Sequence, residues 1–207
     1  MAKRPQNAKG YSSRKVNIRE VKQRFLIVCE GAKTEPNYFK NFRVPKTVID
    51  VKGVGENPTR LVQSAIKLKA EAVEADEEYD QVWCVFDRDD WPPQDFNSAI
   101  HKAESHDLQV AYSNEAFELW YVLHFEFLNT GIPRDNYCKK MTKLLGKKYQ
   151  KNSDTIYDEL RNRQVTAIRN AEKLLASYNP SNPGQDNPST TVHLLVKELI
   201  QSEKSPK

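Results

Sequence analysis

Two short, almost wholly apolar runs constrain this chain more than any other feature. Arg24-Phe-Leu-Ile-Val-Cys29 ends at Glu30-Gly31, and Gln81-Val-Trp-Cys-Val-Phe86 ends at Asp87-Arg-Asp-Asp90. Runs this short and this apolar suit strands buried on both faces, as in a parallel sheet. A third run, Thr47-Val-Ile-Asp-Val51, is closed by Gly53 and Gly55, and a fourth spans Leu108-Gln-Val-Ala-Tyr112.

The segments between these runs read as helices. Thr34 is placed to cap a helix that begins Glu35-Pro36, because proline is tolerated in a first turn. That helix carries Tyr38, Phe39 and Phe42. Asn57-Pro58 pairs an N-cap residue with proline at the first helical position. Leu61, Val62, Ala65, Ile66 and Leu68 then form an apolar stripe running towards Glu78. Pro92-Pro93 breaks the chain before a helix bearing Phe96, Ala99, Ile100 and Ala103. The order β-α-β-α-β-α-β predicts an α/β fold with a mainly parallel sheet flanked by helices.

Beyond Ser113-Asn114 only helical spacing recurs, over 116–125, 134–145, 154–161, 163–178 and 189–202. The proline- and asparagine-rich stretch 179–188 cannot be helical. The expected organisation is a flexible basic N-terminal arm over 1–22, an α/β core over 23–114, and a helical C-terminal region over 115–207 packed on that core.

No run of apolar residues reaches membrane-spanning length, and the basic N-terminus lacks the apolar stretch of a secretory signal. Cys29, Cys84 and Cys138 cannot all pair, and no CxxC or HxxxH spacing suggests zinc. These features predict a cytoplasmic protein with reduced thiols and no membrane partner. The net charge of +4 matters less than its distribution. Seven cationic residues stand against one glutamate before Gln23, and a second basic stretch includes Lys139, Lys140, Lys143 and Lys147. Both could neutralise nucleic-acid phosphates, although a charge run is commonly just a solvated face.

In open parallel sheets, ligands sit beyond the carboxyl ends of the strands, where Glu30, Asp87 and Asp89 are expected. If the chain stays extended, Asp87 and Asp89 point to one side, about 6.6 Å apart. Such a pair could hold Mg²⁺, or Mn²⁺ in its place, with few further protein ligands. Glu30, from the other strand, could complete the metal shell or act as general acid or base. Asp90 is a further candidate ligand, with the wrong side-chain parity for the extended pair. Arg88 and Lys33 are candidate phosphate contacts, as are Lys139 and Lys140; Arg88 could equally balance the carboxylates. Taken alone, an acidic pair after a strand is often a turn or capping feature.

An apolar strand ending in Glu-Gly, a β-α-β-α interval and then an apolar strand ending in Asp-x-Asp resemble the Toprim pattern. Four separated motifs narrow the likeness: Val28-Cys-Glu-Gly-Ala-Lys-Thr-Glu-Pro-Asn-Tyr-Phe39, Val85-Phe-Asp-Arg-Asp-Asp90, Ser113-Asn-Glu-Ala-Phe-Glu-Leu-Trp-Tyr-Val-Leu-His-Phe125 and Asn187-Pro-Ser-Thr-Thr-Val-His193. Together they resemble the RloB family. The resemblance implies a Toprim-like fold, Mg²⁺-dependent nuclease chemistry on DNA or RNA, a role in phage defence, and a partner ATPase of the AAA or ABC type. RNA cleavage, with tRNA among the candidates, would suit an abortive response. Where the family usually has an acidic residue after Glu-Gly, this chain has Ala32. Glu118 joins the catalytic candidates because it lies in one of these motifs, although a structural ion pair would account for it nearly as well.

The remaining candidates favour structural readings. Trp120 and Phe125 are expected in the core rather than as base-stacking platforms. His124, a single histidine on an apolar helix, reads as a core residue, and Asn187–Thr190 before His193 as a capping loop. Gly31-Ala-Lys-Thr34 lacks the first glycine and the spacing of a P-loop. A non-catalytic module remains the alternative to an enzyme, with its acidic loop holding a structural ion or a partner's arginine.

Overall fold

The structure, a computed structural model, describes residues 23–44 and 47–204. The expected basic arm over 1–22 lies outside the described residues. The chain runs β1 (Gln23–Cys29), α1 (Thr34–Phe39), β2 (Thr47–Gly53), α2 (Pro58–Glu74), β3 (Gln81–Asp87), α3 (Pro93–Glu104) and β4 (Gln109–Asn114). There follow α4 (Glu118–Leu123), α5 (Arg134–Leu145), α6 (Ile156–Leu160), a 3-10 turn (Arg161–Arg163), α7 (Gln164–Leu175), β5 (Ser189–Thr190) and α8 (Val192–Lys204).

The five strands lie in the order β2-β1-β3-β4-β5. The first four are parallel, with Leu26 opposite Val82 and Cys84 opposite Val110. β5 pairs antiparallel with the end of β4. Helices therefore cover both faces of an α/β sheet, as the alternation of elements predicts.

Strand geometry sends alternate side chains to opposite faces, and the two apolar runs divide accordingly. Phe25, Ile27, Cys29, Trp83 and Val85 face the larger core, built with α1 and the C-terminal helices. Leu26, Val28, Val82, Cys84 and Phe86 face a smaller core under α2 and α3. Full burial of each such side chain contributes about 1.5–3 kcal/mol, which makes the central strands the most firmly held part of the sheet.

Local signals set several boundaries. Asn57 accepts a hydrogen bond from the Arg60 amide at 2.9 Å, so it caps α2 as expected. Gly146 ends α5 with φ of 68°, a left-handed conformation that glycine adopts without steric cost. Thr34 departs from expectation: its hydroxyl donates to the Lys151 carbonyl at 3.1 Å instead of capping α1. Asn37 and Asn41 likewise donate to the Asn152 and Asp154 carbonyls. Three side chains of the α1 region thus pin the 151–154 loop beside the carboxyl end of β1. Ser189 and Thr190, read both as the start of the last helical stretch and as part of its capping loop, form the short edge strand, and α8 begins at Val192.

Candidate active site

β1 connects to β2 on one side of the sheet, whereas β3 connects to β4 on the other. The crevice between the carboxyl ends of β1 and β3 is therefore the switch point, where open α/β sheets bind ligands. A cavity of about 600 Å³ opens there, lined by Glu30, Glu35, Asp87, Asp89, Lys33, Arg134, Lys151 and Asn152, with others.

Glu30 and Asp87 meet directly, because Glu30 Oε2 accepts a hydrogen bond from the Asp87 amide at 3.0 Å. Asp87 is only 6% exposed. Its Oδ2 accepts from the Phe117 amide at 2.9 Å, while Oδ1 has no partner. Burial raises the Asp87 pKa well above the carboxylate range, and the charges of Glu35, Glu30 and Glu118 add to the rise. Burial likewise lifts Glu30 to about 7, with the Asp87 amide opposing the shift and the charges of Glu35 and Asp89 adding to it.

Glu35 was not among the expected site residues. It is 5% exposed, and its Oε2 has no hydrogen-bond partner. Burial raises its pKa, with the nearby charge of Glu118 reinforcing the effect. A Cβ added to Gly31 would collide with the Glu35 carboxylate, so the absent side chain is what admits Glu35 to the site. Acidic residues in a first helical turn commonly serve only the helix dipole. The usable signal was Glu35's place within the Val28–Phe39 motif.

Glu118, 2% exposed, lies behind these groups and accepts from the Tyr149 hydroxyl at 3.2 Å. Asp89 does not continue the extended strand. Its φ of 48° turns the chain, so the premise that Asp87 and Asp89 project side by side from a strand does not hold. Asp89 is held by an ion pair with Arg134 at the start of α5. Burial works against the Arg134 charge, but hydrogen bonding and the charge of Asp89 more than offset it and keep the guanidinium pKa raised.

Other expected residues lie apart from the cavity. Asp90 is exposed and does not line it. The Arg88 amide donates to the Ser113 carbonyl, and its Nε is buried without a partner. Lys139 is exposed on α5, and Lys140 pairs with Glu126 at 2.6 Å. Of the expected phosphate contacts only Lys33 reaches the cavity, where Lys151 and Arg134 join it. Trp120 is fully buried, as expected. His124 is buried with Nδ1 2.9 Å from the Trp120 carbonyl, and burial lowers its pKa to about 4.

The donor chemistry fits a hard divalent cation. Asp87 Oδ1 and Glu35 Oε2 are buried carboxylate oxygens without partners, beside three further carboxylates, Glu30, Glu56 and Asp89, in one cavity. Mg²⁺ and Mn²⁺ favour such oxygen ligands. Among the described residues no three His, Cys, Asp or Glu side chains are already drawn together as a metal cluster. Like charges at close range repel, so these carboxylates would converge only around a cation.

Fold and cavity together define an α/β protein with an acidic site at the strand switch point. The chain belongs to the RloB-like family: the family model described as RloB-like protein matches residues 25–199, and so spans β1 to α8. No curated protein and no solved structure matches the chain. No helix among the described residues is long and apolar enough to cross a membrane.

Proposed function

We propose that this protein is a metal-dependent nuclease of the Toprim type, hydrolysing nucleic-acid phosphodiesters in the cavity between β1 and β3. The carrying observation is a pair of buried carboxylates, Asp87 and Glu35, each with an unpartnered oxygen, in a cavity rimmed by Lys33, Arg134 and Lys151. Buried carboxyl oxygens without hydrogen-bond partners are costly, and proteins keep them chiefly where function uses them.

Asp87 and Glu35 would hold the cation through those oxygens, with Glu30 adjoining and Glu118 behind. A bound divalent cation would polarise a phosphoryl oxygen and lower the pKa of a bound water. Glu30 lines the cavity from the opposite strand and is placed to accept the attacking water's proton. Lys33 and Lys151 would bind flanking phosphates as exposed point charges. Membership of the RloB-like family supports the further expectation of a phage-defence role beside a partner ATPase.

A second reading has one observation in its favour. Asp89 is already neutralised by Arg134, as it would be in a module whose acidic loop is structural or grips an arginine. The deciding experiment purifies the protein with its candidate ATPase and incubates the complex with DNA and with RNA, including tRNA, in Mg²⁺ or Mn²⁺. A nuclease loses metal-dependent cleavage on Asp87→Asn while the complex stays intact. Loss of complex formation without any wild-type cleavage would instead favour the binding module.

A further inference from the structure

We infer that Arg134 is an exchangeable counter-ion, held on Asp89 while the site lacks a divalent cation and released to the substrate's phosphate when one enters. The inference rests on the metal-dependent reading proposed above and assigns Arg134 a role in both cation entry and phosphate binding.

Arg134 is the first residue of α5, follows Pro133, and lines the same cavity as Glu30, Glu35, Asp87 and Asp89. Its backbone is fixed by the helix, but its long side chain is partly exposed, so the guanidinium can turn without moving the fold. The charges of Asp87 and Glu118 also act on it, so it belongs to the whole acidic group.

Arg134 nevertheless serves that group incompletely. It satisfies Asp89, while Asp87 Oδ1 and Glu35 Oε2 remain without partners in a setting more than nine-tenths buried. A small hard cation could reach between those inner oxygens in a way a planar guanidinium cannot. Once there, its double charge would repel Arg134 and compete for Asp89. A displaced guanidinium on the cavity rim is suited to a phosphate, which it can bind bidentately. Lys33 and Lys151, exposed on the same rim, lack that fork geometry.

The test compares wild type, Arg134→Gln and Arg134→Lys in two titrations. The first follows the melting temperature with Mn²⁺; the second follows fluorescence anisotropy of short labelled DNA and RNA oligonucleotides in Ca²⁺, used to withhold cleavage. Arg134→Gln should need about tenfold less Mn²⁺ for its half-maximal shift, because a competing charge is gone. Arg134→Lys keeps the charge and should titrate like wild type. Oligonucleotide affinity should fall about tenfold in Arg134→Gln. A merely structural ion pair would not move the two affinities in opposite directions. If Mn²⁺ shifts wild type but binds Arg134→Gln no more tightly, the exchange is wrong and the metal site stands. If oligonucleotide affinity is unchanged in Arg134→Gln, the phosphate role is wrong. If Mn²⁺ shifts none of the three proteins, the metal-dependent reading fails as well.

Discussion

The Asp87 amide donates a hydrogen bond to Glu30 Oε2 at 3.0 Å, across the carboxyl ends of β3 and β1. The bond joins two strand ends through the Asp87 backbone, and Asp87 Oδ1 is left without a partner. It also sets the Glu30 charge beside Asp87, where it adds to the burial that raises the Asp87 pKa.

Glu30 should therefore make stability depend on pH. Its pKa rises from 4.5 to about 7 on folding, so the native state holds more protons than the unfolded state between those values. The contribution of this group is most favourable at low pH and declines as pH rises through that window. His124 and His193, each lowered by burial to about 4, act in the opposite sense below the ordinary histidine pKa. Comparing wild type with Glu30→Gln isolates the carboxylate. In metal-free buffer the variant should gain on wild type as pH rises from 5 to 8, by about 2 kcal/mol in all. Urea denaturation across that range measures it, and a difference independent of pH would show that Glu30 ionises freely.

A side chain at Gly31 should displace the Glu35 carboxylate. Gly31→Ala sets the new methyl against that carboxylate, the movable end of the Glu35 side chain, so the stability change should stay within about 1 kcal/mol. The same variant should bind Mn²⁺ more weakly. Ala32→Ser, at the exposed neighbouring position, should stay within about 0.5 kcal/mol of wild type. Denaturation and Mn²⁺ titration of both variants provide the check.

The central strands were legible because burial on both faces left little else that Phe25–Cys29 and Val82–Phe86 could form. The limits of α5 were equally plain, since Pro133 precedes it and Gly146 closes it. Glu30 and Asp87 followed from the rule that parallel sheets carry ligands at their carboxyl ends. The left-handed turn at Asp89 did not follow, because nothing local distinguishes it from an extended continuation. Arg134 was hidden for a different reason: only tertiary packing brings α5 to that loop. Ser189–Thr190 was misread because a two-residue strand has no periodicity and depends entirely on pairing with β4.

Tyr149 should hold Glu118 in place. Its hydroxyl is the donor to that buried carboxylate, and Tyr149→Phe removes it while keeping the ring packed. The expected loss is about 2 kcal/mol, because a hydrogen bond to a charged group is removed. Urea denaturation of the variant reads the effect, and a loss below about 0.5 kcal/mol would show that Glu118 is served by other groups.

Asp87 and its neighbours, as the proposed divalent-cation site, should cost the metal-free protein stability through their mutual repulsion. The most direct measurement is the melting temperature of wild type and Asp87→Asn near pH 7.5, each in EDTA and in Mn²⁺. In EDTA the variant should melt no lower than wild type, because one buried carboxyl group with an unpartnered oxygen is gone. Mn²⁺ should raise only the wild type, by about 2.7 kcal/mol of stability at a hundredfold excess over the dissociation constant. An equal Mn²⁺-induced rise in both proteins would contradict the site.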